Sequence, residues 1–121
     1  METVNFITTE IGDDLIVSFA VAGDDPVDVI SLTLLRTPKF EFILDSDERG
    51  VNISRDDIPE WEQDMLASVH WAGTNVRIGT RFGRHYTLDV RRVSDDEVQQ
   101  AKQILRRMNV DHAFKLALSE R

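Results

Sequence analysis

Before Ser94 the chain alternates apolar and polar residues for most of its length, and this two-residue period predicts strands. Thr3 to Thr9 sets Val4 and Phe6 on one side, and Gly12-Asp13-Asp14 then signals a turn. Leu15 to Ala22 places Leu15, Val17, Phe19 and Val21 on one face and Ile16, Ser18 and Ala20 on the other. Ala22-Gly23-Asp24-Asp25-Pro26 breaks that run, because Gly and Pro punctuate and Asp favours turns. Val29 to Arg36 alternates again, with Ile30, Leu32 and Leu34 together. After the Thr37-Pro38 interruption, Phe40, Phe42 and Leu44 predict a fourth strand, and a polar turn from Asp45 to Gly50 leads into Val51 and Ile53.

The middle follows a different rhythm. Pro59 and the surrounding acids read as a helix start, which predicts a short helix over Glu60 to Val69 carrying Trp61, Met65 and Leu66. A hairpin comes next. Val76 and Ile78 alternate with Arg77, the segment Gly79 to Arg84 turns the chain, and Tyr86, Leu88 and Val90 alternate with Thr87, Asp89 and Arg91. From Ser94 the period becomes helical. Ser94 and Glu97 have capping-box spacing, Asp95 and Asp96 suit the positive end of the helix dipole, and Val98, Ala101, Ile104, Leu105 and Met108 form an apolar stripe. Asn109 is the stop, and Asp111 opens a second short helix to about Ser119. The sum is an α+β domain over residues 1–121: an antiparallel sheet of six to seven strands with a C-terminal helix packed on one face.

Composition narrows the function. A chain of 121 residues with 41% hydrophobic content is long enough for one core. It has no cysteine, which excludes disulfides, thiolate catalysis and thiolate metal sites and suits a reducing, cytoplasmic setting. No apolar run approaches the ~20 residues that cross a bilayer, and no secretory signal pattern opens the chain. Charge is uneven: residues 1–64 hold sixteen Asp/Glu and four Lys/Arg, whereas residues 65–121 hold six and ten, within a net −8. Opposed fields of this kind steer partners.

The candidate chemistry is sparse. Asp45-Ser46-Asp47-Glu48-Arg49-Gly50 has the opening acids of a calcium loop, with Asp56 at the twelfth position, but Arg49 puts a cation where an oxygen ligand belongs. His70, His85 and His112 have no metal spacing. No Gly-x-Ser-x-Gly elbow is present. The expectation is therefore a protein without catalytic residues, metal or cofactor. Two segments suit binding. Arg81, Phe82 and Arg84 on the hairpin combine arginine with an aromatic, the composition of a protein hot spot or of a single-strand nucleic-acid binder. The net charge opposes the polyanion. Glu60, Trp61 and Glu62 lie in the densest acidic run, with the tryptophan as an anchor for a basic partner. The sequence thus reads as a non-catalytic protein-binding or regulatory module, possible as an immunity- or inhibitor-type protein. A self-associating homodimer is the alternative, and a small enzyme or nucleic-acid binder a distant one.

Overall fold

The computed structural model describes residues 1–25, 27–62 and 64–119. Its strands are β1 (Glu2–Ile11), β2 (Leu15–Ala22), β3 (Val29–Arg36), β4 (Asn52–Arg55), β5 (Asp64–Ala72), β6 (Asn75–Thr80), β7 (His85–Asp89) and β8 (Lys115–Leu118). One α-helix, α1 (Asp95–Met108), lies between β7 and β8 among the described residues. The sheet order is β4-β3-β2-β1-β7-β6-β5-β8, and β4 also pairs with β5. That extra pairing closes the first seven strands into a ring. The fold is mostly sheet and broadly α+β, with eight strands among the described residues.

The sheet is mixed, not antiparallel as expected. β1 runs parallel to β7, joining Glu2 to Leu88 and Thr3 to Asp89, and β8 runs parallel to β5, joining Ser68 to Lys115. A parallel neighbour needs a crossover connection, and α1 supplies one for β8. Hairpin reasoning pairs neighbours in sequence and so misses both contacts.

Inward positions make the core. Val17, Phe19 and Val21 of β2, Leu32 and Leu34 of β3, Trp71 of β5 and Leu88 of β7 are fully buried. The helix packs on β1, β2 and β8 and buries Val98, Ala101, Ile104, Leu105 and Met108, as its stripe predicts. Ser94 is the N-cap and Asn109 the C-cap, both at the expected positions. The capping box is only half made. Ser94 Oγ accepts from the Glu97 amide at 3.3 Å, but the Glu97 carboxylate accepts from Ser94 Oγ at 3.0 Å and from the Ile7 amide of β1 at 2.7 Å. Glu97 thereby satisfies an amide on the edge that β1 turns toward the helix.

Four expected elements differ. Phe40 and Phe42 lie in a 3₁₀ turn (Pro38–Ile43), not a strand. Pro38 has no N–H for a ladder, and Glu41 folds back onto Arg36 with Nε–Oε2 at 2.8 Å. The helix expected from Glu60 is a 3₁₀ turn (Glu60–Glu62) followed by β5. A bulge between Leu66 and Ser68 sets Leu66 and Val69 three apart, which imitates helical spacing. The segment after Asp111 is β8, with Leu116 and Leu118 packed on the core. Helix there is blocked by His112 at φ 56° and by Asn109 Oδ1, which accepts from the Phe114 amide at 3.1 Å. Gly79 and Thr80, expected in a turn, end β6. Pro26 of the expected break and Gln63 of the expected helix lie outside the described residues.

Candidate functional site

The ring is open at the end where β1 begins, β4 ends and β5 starts. A pocket of about 270 Å³ occupies this mouth, lined by Ile53, Ile58, Pro59 and Tyr86 and by the charged residues Arg55, Asp56, Glu60, Glu62, Asp64 and Arg84. Both of its cations are already neutralised. Arg55 makes a bidentate pair with Glu2, both contacts at 2.6 Å, bonds Asp57 Oδ1 at 2.7 Å, and lies 5.4 Å from the Tyr86 ring centroid. The Arg55 hydrogen bonds hold the Glu2 carboxyl below its ordinary range. Arg84 Nη2 donates to Glu62 Oε2 at 2.8 Å, and the Glu62 carboxylate raises the guanidinium pKa.

Asp64 organises the floor. It opens β5 on an inward position and is 4% exposed. Its Oδ1 accepts from the amides of Met65 at 2.8 Å and Phe82 at 3.2 Å, which ties the start of β5 to the β6–β7 turn. Its Oδ2 is buried with no hydrogen-bond partner among the described residues. The turn itself is held by Thr80, whose Oγ1 accepts from the Arg84 amide at 3.0 Å and whose carbonyl accepts from Gly83 at 3.0 Å. Gly83 has φ 87°, the left-handed region that favours glycine.

The residues singled out from sequence divide as follows. Glu60, Glu62 and Arg84 meet at this pocket, although Glu62 and Arg84 are 22 residues apart in sequence. Trp61 is 85% exposed between the two glutamates, and Phe82 is 80% exposed on the adjoining turn. The acidic run and the arginine hairpin, separate in the sequence, are therefore one region. Arg81 leaves it: Nη1 donates to the Asp47 carbonyl at 2.9 Å and Nη2 to the Arg49 carbonyl at 3.1 Å, so it staples the 45–50 loop to the sheet.

That loop does not form the calcium arrangement. Carboxylate oxygens of Asp45, Asp47 and Glu48 gather within 4.8 Å on the exposed surface, but Asp56 lies apart, accepting from the Ser31 amide at 2.9 Å. Sequence reasoning did not find Asp64, Arg55 or Tyr86 as neighbours at the mouth. The available signal was a lone acid, Asp64, on the apolar phase of an alternating strand. The chain matches no protein-family model, no curated protein and no solved structure. No helix among the described residues is long and apolar enough to cross a membrane.

Proposed function

We propose that this protein is a non-catalytic, cytoplasmic binding module that docks a basic protein partner at the mouth of its strand ring, in the manner of an inhibitor covering a basic active site. The observation that carries the reading is Trp61, 85% exposed between Glu60 and Glu62 on the rim of an acid-lined pocket. Tryptophan is among the residues enriched at binding hot spots, and surrounding acids accelerate encounter with a cationic surface. The pocket has four carboxylates against two arginines, and both arginines are engaged by carboxylates of the chain itself. At about 270 Å³ it is smaller than the ~300–1,000 Å³ of metabolite sites, a size suited to one side chain of a partner.

The test is affinity capture from a cytosolic extract fractionated for basic proteins. Trp61→Ala should lower retention of the partner at least tenfold, and reversal of Glu60 and Glu62 to lysine should abolish it. Retention unchanged in both variants contradicts the reading.

Self-association is the second reading, favoured by Phe40, Phe42 and Ile43, which are 54%, 77% and 70% exposed in one 3₁₀ turn. Mass in solution separates the two. A monomer at all salt concentrations excludes the homodimer, and a dimer that persists at high salt assigns the contact to these apolar residues, because screening weakens only charge pairs.

A further inference from the structure

The outer face of β5, β6 and β7 carries a second set of polar side chains away from the acids of the mouth. Strand pairing places Ser68 opposite Gly79 and Gly79 opposite His85; one row along, it places His70 opposite Arg77 and Arg77 opposite Thr87. These positions point outward, because Val69, Trp71, Val76, Ile78 and Leu88 between them are buried. Directly opposed residues have Cβ atoms ~4.5–5.5 Å apart. Two hydroxyls, two imidazoles and a guanidinium therefore share one hollow, of about 380 Å³.

Gly79 forms its floor. The backbone there has no left-handed φ that would call for glycine. A Cβ at this position would lie 2.7 Å from Ser68 Oγ and 3.5 Å from His85 Nδ1, so the missing side chain is what lets these two polar atoms converge. A glycine inside a strand marks a place where another group approaches closely.

The charge of the hollow is opposite to that of the whole chain. No carboxylate lines it among the described residues. Lys115 of β8 pairs with Ser68 at its edge, and Asp89, the next outward position after Thr87, is held by Arg91 at 2.8 Å. Arg36, Arg55 and Arg84 each have carboxylate partners. The Arg77 guanidinium makes no hydrogen bond or ion pair among the described residues.

We propose that this hollow binds the phosphate group of a small phosphate monoester. Arg77 is the fixed cation, with the fork of N–H donors that matches phosphate oxygens. His70 and His85 flank it as ring N–H donors, and the hydroxyls of Ser68 and Thr87 complete the set. A polyanion is repelled by the net −8. A small dianion meets only the local field.

The experiment is a titration of the full chain with inorganic phosphate and, separately, with O-phosphoserine. Amide and side-chain NMR shifts are followed at constant ionic strength, with chloride as control. Saturable shifts confined to Ser68, His70, Arg77, Gly79, His85 and Thr87 are expected with at least one phosphate probe and not with chloride. Tighter binding of O-phosphoserine assigns an ester ligand, and equal binding assigns the phosphate group alone. Arg77→Gln, at an exposed position, should weaken binding at least tenfold. Gly79→Ala should weaken it similarly by filling the floor, with a melting temperature no more than slightly changed. Linear shifts that chloride reproduces, or wild-type titration of both variants, overturn the proposal.

Discussion

Arg36 is the side chain on which most of one end of the molecule converges. It closes β3 on an inward position, with its side chain 5% exposed. Its guanidinium binds Glu41 through Nε and Nη2, both at 2.8 Å, and Asp111 through Nη1 at 2.8 Å and Nη2 at 2.6 Å; Nη1 also donates to the Met108 carbonyl at the end of α1. One residue thus joins β3, the 3₁₀ turn and the helix C-terminus. Removing one member of a buried pair costs about 3–5 kcal/mol because the remaining charge is left uncompensated. Arg36→Ala should lose an amount in that range in a urea melt, and a loss below about 1 kcal/mol would contradict the placement. The acid limb follows from the same contacts. Arg36 holds Asp111 below the ordinary 3.8, and Arg55 holds Glu2 below the ordinary 4.5. Because the folded values are the lower ones, the unfolded chain takes up protons first as pH falls. The stabilisation is fully present above the unfolded values, and it is lost on acidification through the folded ones. Urea midpoints should therefore fall below about pH 4.5, and Glu2→Gln should make that fall shallower.

At the scale of elements, legibility followed period. Helix α1 announced itself through a cap, a stripe and a stop, and the structure agrees at both ends. Leu105 is fully buried, and Leu105→Ala should cost ~2–5 kcal/mol in a denaturant melt. β2 and β3 were equally plain, since buried and less buried positions alternate along most of each, Ala20 of β2 excepted. β5 was misread because one bulged residue shifts its phase, and β8 because four residues are too few for a period to show. The role of Glu97 was not legible, because a capping partner and an edge-strand acceptor look alike in sequence. Ser94→Ala should cost about 1 kcal/mol, the ordinary loss of a cap. Glu97→Ala should also speed exchange of the Ile7 amide, which its carboxylate accepts at 2.7 Å. Unchanged protection at Ile7 would place that bond outside solution behaviour.

At the scale of the whole molecule, the charge asymmetry of the sequence becomes a matter of where strands neighbour one another. β1 and β4 supply Glu2 and Arg55 to the mouth, the segment before β5 adds Asp56, Glu60 and Glu62, and the β6–β7 turn brings Arg84 across to them. The ring joins Glu62 of the first half to Arg84 of the second, so part of the imbalance is cancelled internally. Two patches of opposite sign lie beside that pair: acids with the exposed Trp61 at the mouth, and Arg77 with two histidines on the outer face. Sequence reasoning named Glu60, Trp61, Glu62 and Arg84 but could not see that they meet. Closure of the ring through β4–β5 brings them together, and that pairing spans only Asn52–Met65 and Ile53–Asp64. The most direct test of the binding account uses Trp61 itself, since Trp71, the other tryptophan, is fully buried. An arginine-rich peptide titrated at low salt should change the Trp61 fluorescence saturably. The effect should weaken as salt is raised and disappear when Glu60 and Glu62 are both reversed to lysine. A fluorescence response that survives the charge reversal, or no response at low salt, would contradict the account.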